Sequence, residues 1–253
     1  MTEGSRVTAD GKADALRGGV LLQTPEEWTA RNQQLTNTIR ALIAAHLRPF
    51  TGRALDVGCM QGELTDRYGE GLGMEWYGID PDIDRPRRSD GGAFLSPGAA
   101  HELNFPAEFF DCITFANVYE HLSPDLRSDS IEEFYRVLAS GGLLVGQLPN
   151  PYFPIESHSR LPFFGYFPRS VQRLYWRFTP TGWDFERGHF FSVTIRDLQR
   201  VAERSGFKTI LVRNFNYSPE AIPSSLRWIA SIHTRLRVLP WAWQFVFQKP
   251  LNT

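Results

Sequence analysis

From Gln23 to Leu47, apolar residues recur at three- and four-residue steps (Trp28, Leu35, Ile39, Leu42, Ile43, Leu47), which predicts an amphipathic helix. Thr24-Pro25-Glu26-Glu27 gives it a cap, a first-turn proline and two acids near the positive end. ALDVG (54–58), EWYGID (75–80), DCITFAN (111–117) and GLLVGQLP (142–149) are short apolar runs that read as strands. Ser128 to Leu138 carries Ile131, Phe134, Tyr135 and Leu138 on one helical face. VTIRDLQRVAERSG (193–206) is an amphipathic helix stopped by Gly206, FKTILVRNF (207–215) a strand, and WQFVFQKP (243–250) one more. Strands separated by helices predict an α/β fold, a mostly parallel sheet with helices on both faces. Residues 150–190, rich in Phe, Pro and Arg, break this rhythm and hold no clear strand.

Composition narrows the classes. At 253 residues, 42% hydrophobic and 22% charged, the chain can bury the core of one soluble domain. A net charge of −1 gives no reason to expect nucleic acid. Cys59 and Cys112 make no disulfide framework, so reduced thiols in a cytoplasmic protein are expected. No apolar run approaches the roughly 20 residues that span a bilayer. The polar N-terminus lacks a signal segment, and residues 1–20 read as a mobile leader.

The turn after the first strand reads Leu55-Asp56-Val57-Gly58-Cys59-Met60-Gln61-Gly62-Glu63-Leu64. Glycine there lets backbone approach a ligand, and the N–H groups of a following helix face the ligand's polar end. Asp80 lies 24 positions after Asp56, close to where such a site places a carboxylate for ribose hydroxyls. The string is no dinucleotide fingerprint, because Met60 stands where G-x-G-x-x-G needs glycine. Asp56 suits an ammonium, a group that a nicotinamide dinucleotide lacks. The plainer readings are a turn cap for Asp56 and an ordinary turn at Asp80-Pro81.

LDVGCMQGEL resembles the first motif, Asp-x-Gly-x-Gly-x-Gly, of class I S-adenosylmethionine-dependent methyltransferases. YGIDPD resembles the second, LNFPAEFFDCITFANVYEHL the third, EFYRVLASGGLLVGQLPNP the fourth, and GHFFSVTIRDLQRVAERSGF the segment that follows. The five stand in order over residues 54–207, about 60% of the chain, and are most similar to the methyltransferase type 11 group. The resemblance implies a Rossmann-like domain over 21–253 with a helical cap at 21–50, a substrate lid inserted at 150–190 and a helical insertion at 218–240. It implies that Gly58 and Gly62 turn around the methionine part of S-adenosylmethionine, and that Asp56 orients the turn and the ammonium. Asp80 would bind the ribose, and Asn117 and Val118 the amino-acid end. There are two departures: Met60 replaces the middle glycine, and Gly98-Ala99-Ala100 replaces an acid that many relatives use for adenine. Backbone groups or Glu102 would serve instead.

His121, just past the third of these strands, would take a proton from an acceptor hydroxyl or be held structurally by a loop carbonyl. His158, with Glu156 near it, and His189 are further candidate bases. Their spacing is not that of a metal site, and no metal is expected. Cys59 reads as a buried hydrophobe. The aromatics of PNPYFPIESHSRLPFFGYFPRS (149–170) either wall an acceptor pocket or pack the lid. SLRWIASIHTRLRVLPWAWQFVF (225–247) carries Arg227, Arg235, Arg237, three tryptophans and no acid. It would make peripheral membrane contact, or pack as a helix beside the last strand. The expected activity is methyl transfer to a small-molecule or lipid-linked acceptor, at oxygen, with oligomeric state left open. The alternative is a non-catalytic cofactor-binding or scaffold protein.

Overall fold

The computed structural model describes residues 24–47, 52–156, 158–179, 185, 191–222, 224, 227 and 239–251. They group into two compact units: a larger one from residues 32–150, 189–216 and 240–253, and a smaller one from residues 1–31, 151–188 and 217–239.

The larger unit holds β1 (Gly52–Val57), β2 (Met74–Asp80), β3 (Arg87–Arg88), β4 (Phe94–Pro97), β5 (Phe110–Ala116), β6 (Leu138–Pro149), β7 (Lys208–Phe215) and β8 (Ala242–Gln248). They form one sheet in the order β3-β4-β2-β1-β5-β6-β8-β7. β4, β2, β1, β5 and β6 run parallel, and β8 inserts antiparallel between β6 and β7. The chain winds outward from β1 through β2 to β4 and then returns to β5. Strand order therefore reverses between β1 and β5, the place where open α/β sheets bind ligands.

The helices are α1 (Pro25–His46), α2 (Glu63–Gly69), α3 (Arg127–Val137), α4 (Arg169–Tyr175) and α5 (Ile195–Arg204). Leu35, Ile39, Leu42 and Ile43 of α1 and Tyr68 of α2 share one core cluster with Ala54, Val145 and Val246. Ile131 and Phe134 of α3 and Leu198 and Ala202 of α5 share the other with Leu55, Leu144 and Phe245. Alternate strand positions thus serve opposite faces, and both faces are covered. Each such aliphatic side chain contributes about 1.5–3 kcal/mol on full burial. Thr24 and Glu27 exchange side-chain and backbone bonds (3.2 and 3.1 Å), a capping box that starts α1.

The expected strands are all present, with shifted ends. β6 begins at Leu138, where α3 ends, and its pairing with β5 shifts register between Phe110 and Cys112. The β3–β4 hairpin was not expected, because its strands are two and four residues long and β4 ends on Pro97. Ala242, Phe245, Val246 and Phe247 are fully buried in an interior strand, so the C-terminal end of 225–247 packs in the sheet. Trp228, Arg235 and Arg237 lie outside the described residues, as do the leader and most of the insertion expected at 218–240. No helix among the described residues is long and apolar enough to cross a membrane.

In the smaller unit, Glu27 accepts from Arg227 Nη2 (3.0 Å) and the Ser224 N–H (2.9 Å). Phe164 and Phe185 pack against Trp176, with ring centroids 5.6 and 5.4 Å away. Among the described residues between 151 and 179 the backbone has turns, two of them 3-10 (Phe164–Tyr166 and Trp176–Phe178), α4 and the bridge from Ile155 to Pro162.

Candidate active site

The loop leaving β1 is drawn across the end of β2. The N–H groups of Gly58 and Cys59 donate to Ile79 O (2.8 and 3.1 Å). The Met60 N–H donates to Asp80 Oδ2 and the Asp82 N–H to Asp80 Oδ1, each at 2.9 Å. Gly58 and Gly62 have φ of 78° and 90°, which glycine adopts without strain. A Cβ at Gly58 would stand 2.5 Å from Val118 Cγ2, and one at Gly62 would stand 2.6 Å from Leu95 Cδ1. The loops after β1 and β5 therefore interlock, with room for backbone alone at Gly58. Met60, in place of the middle glycine, holds φ 51° with its side chain 42% exposed. Left-handed backbone costs a side-chain-bearing residue roughly 1–2 kcal/mol.

Asp56 is buried, and its two oxygens accept from Thr65 Oγ1 (2.6 Å) and Thr114 Oγ1 (2.7 Å). Burial pushes its carboxyl up to about 6, the two hydroxyls pull it down, and Asp80 adds a smaller upward push. Facing inward, it ties β1 to α2 and β5, a placement that suits orienting the turn better than meeting an ammonium. Neither threonine was singled out from the sequence. Thr114, the one hydroxyl in the apolar run DCITFAN, was the available signal.

Asn117 follows β5 in left-handed backbone (φ 57°), which asparagine tolerates. A polar rung runs from it across the sheet. Arg213 Nε and Nη2 donate to Gln244 Oε1 (3.1 and 2.7 Å), and Gln244 Nε2 donates to Gln147 Oε1 (3.3 Å) and Thr38 Oγ1 (2.8 Å). Gln147 Nε2 then donates to Asn117 Oδ1 (3.2 Å). With Oδ1 committed to the rung, the amide's N–H₂ end is the one turned away from it. Both glutamines are buried, and they were not anticipated because each stands alone in an apolar strand. Beyond β4, the Gly98 N–H donates to Asp80 O (3.4 Å), and a bridge from Ala99 to Glu102 closes the turn.

His121 sits in a 3-10 turn directly after Val118, half-buried, its N–H donating to Val118 O (2.9 Å). Arg127 packs 5.2 Å from both the Tyr119 and Phe191 rings and donates to Leu122 O (3.2 Å), which fixes that turn. His158 belongs to the smaller unit. Its Nδ1 lies 2.8 Å from Glu156 Oε1, and Glu156 also accepts from the N–H groups of His158 (3.0 Å) and Ser159 (2.6 Å). Burial would raise the Glu156 carboxyl, but the His158 charge and these bonds hold it at about 2. His189 lies outside the described residues. Cys59 and Cys112 are buried, and burial pushes both thiols far up.

The larger unit thus gathers Gly58, Gly62, Asp80, Asn117, Val118 and His121 along one edge of the sheet, with Asp56 beneath. A backbone-only cradle, a carboxylate and an oriented amide fit a ligand with hydroxyls and an amino-acid end. Solved structures share the fold. A methyltransferase from Haloferax volcanii, in complex with the activator Trm112, superposes with a TM-score of 0.61 at 13% identity, over 98% of this chain and 99% of its own. A SAM-dependent methyltransferase from Methanosarcina mazei gives 0.55 at 19% identity, over 83% and 98%. A phosphoethanolamine N-methyltransferase from Haemonchus contortus, solved with S-adenosyl-L-methionine, gives 0.54 at 15% identity, over 85% and 53%. No curated protein sequence matches the chain. Residues 20–212, about three quarters of it, match the model of a methyltransferase domain, and the chain belongs to that family.

Proposed function

We propose that this methyltransferase delivers a methyl group from S-adenosylmethionine to a small-molecule or lipid-linked acceptor, at oxygen. The observation that carries the reading is the interlocked pair of loops at the switch point, with Asp80 beside them. Gly58 and Gly62 supply close-approaching backbone, Asp80 accepts from ribose hydroxyls, and Asn117 and Val118 hold the amino-acid end. Asp56 acts on the site by positioning the turn.

When bound, the donor supplies a methyl on a sulfonium whose thioether leaves without needing a proton. Alignment of acceptor and methyl can supply about 7–11 kcal/mol of barrier lowering. A base contributes 10²–10⁴-fold, about 3–5 kcal/mol. The protein's first task is therefore to align and to exclude water, and a hydroxyl acceptor adds the removal of one proton. His121 takes it in the larger unit, while His158, oriented by a carboxylate at Nδ1, and His189 are the other candidates.

The test is calorimetric titration with S-adenosylmethionine and S-adenosylhomocysteine, followed by mass spectrometry of hydroxylated small molecules and lipid-linked phenols incubated with enzyme and donor. Cofactor binding with a methyl-sized mass gain on one acceptor is expected. Binding without turnover on any acceptor would favour a scaffold.

A further inference from the structure

The β3–β4 hairpin reaches over the start of α2 and meets it at three places, all within the larger unit. Ser89 Oγ and the Gly91 N–H (2.8 Å for the latter) donate to the two oxygens of Asp66 in α2. Leu95 and Ser89 pack against Gly62, where an added Cβ would stand 2.6 Å from Leu95 Cδ1 and 3.2 Å from Ser89 Cβ. Arg87 Nη2 donates to Gln61 O (3.2 Å) and to Gln61 Oε1 (2.6 Å).

The hairpin is a firm base for that last contact. Its Ser89 N–H donates to Ala93 O and its Ala93 N–H to Ser89 Oγ, both at 2.9 Å. Arg88 Nη1 closes the turn on Gly92 O (2.7 Å). Arg87 itself pairs with Leu95, whose side chain is fully buried.

The loop that Arg87 touches needs outside support. Gly58, Met60 and Gly62 all have positive φ, at 78°, 51° and 90°. At Met60, which carries a side chain, such backbone persists only where the surroundings over-determine it. Ile79 O holds Gly58 and Cys59, Asp80 holds Met60, and the Gly62 N–H donates to Cys59 O (2.9 Å). Gln61, between the last two, is exposed. Its carbonyl belongs to the peptide that also carries the Gly62 N–H, so Arg87 and Cys59 O bond the two ends of one peptide plane and fix it. A loop that holds its receptive form only part of the time binds its ligand with affinity lowered by that fraction.

We infer that Arg87 is a positioning residue for the cofactor: by holding Gln61 it keeps the glycine loop in the form that receives S-adenosylmethionine. This rests on the reading of that loop as the cofactor cradle.

The experiment is calorimetric titration of the full chain with S-adenosylhomocysteine, wild type beside Arg87→Ala, Arg87→Lys and Arg88→Ala, with melting temperature as the check on folding. Arg88 is adjacent and of the same charge but donates within the hairpin, so it controls for charge alone. Arg87→Ala should weaken binding about five- to tenfold. Arg87→Lys keeps a charged donor and should recover most of that loss, while Arg88→Ala should stay within about twofold of wild type. In the cofactor-free protein, Arg87→Ala should speed amide exchange at Met60 and Gly62, whose N–H groups are hydrogen-bonded. Should Arg87→Ala fail to fold, Gln61→Ala removes one of the two acceptors and should weaken binding about two- to threefold. A wild type that binds no better than these variants, an Arg88→Ala that loses as much as Arg87→Ala, or unchanged exchange would overturn the inference and leave the cradle standing. A wild type that gives no heat would remove the cradle, and the inference with it.

Discussion

The backbone N–H of Met60 donates to the Asp80 carboxylate across 2.9 Å, from a residue held at φ 51°. The bond locks the loop after β1 onto the end of β2, and it needs only the main chain of residue 60. Met60→Gly should keep the bond and relieve the left-handed strain, at the cost of added chain entropy. Stability should rise by about 0.5–1 kcal/mol. A denaturant midpoint that falls instead would mean that the exposed Met60 side chain has packing the loop depends on.

Asp56 makes a pH-dependent prediction. Its carboxyl ordinarily titrates near 3.8 and is raised to about 6 in the folded protein, chiefly by burial. Between these values the unfolded chain has lost a proton that the folded chain keeps, so stability falls as pH rises from about 4 to 6 and then levels. The loss is about 3 kcal/mol at most, taking 1.36 kcal/mol per pH unit. Asp56→Asn should remove that part of the slope. Parallel stability curves for the two proteins across pH 4–6 would refute the assignment.

Much of the fold was legible because the interior strands are short, mostly apolar runs beside glycines, as at 54–58, which ends on Gly58, and 142–149, which begins on Gly142. The hairpin at Arg87–Pro97 was not, since neither of its strands is long enough to establish a period. The end of the chain reads both as part of an amphipathic segment over 225–247 and as a strand over 243–250, and pairing of Ala242–Gln248 with β6 and β7 on both sides decides for the strand there. At the site, glycines and acids announce themselves through motif spacing. Thr65, Thr114, Gln147 and Gln244 act through contacts between separate elements, which no local pattern encodes.

The rung from Arg213 to Asn117 bears on both stability and recognition. Leucine at both Gln147 and Gln244 removes both partners of the bond between them, which alone is nearly neutral, but it also takes the rung donor from Asn117 Oδ1 and the Gln244 amide from Thr38 and Arg213. Gln147→Leu/Gln244→Leu should therefore lose about 1–3 kcal/mol of stability and stay folded. Its affinity for S-adenosylhomocysteine should fall about five- to tenfold, because the Asn117 amide is no longer held. Calorimetry giving wild-type affinity would show that the rung serves packing alone.

His121→Ala should lower turnover by about a hundredfold or more if its imidazole takes the acceptor's proton. Affinity for S-adenosylhomocysteine should stay within about twofold of wild type by the same calorimetry. Undiminished turnover would move that role to His158 or His189.

The most direct test of the cofactor cradle is titration of Asp80→Ala with S-adenosylhomocysteine beside the wild type. The wild type should bind, and the variant should stay folded with affinity lowered by more than about tenfold. Equal affinities, or a folded wild type that gives no heat with either form of the cofactor, would contradict the account.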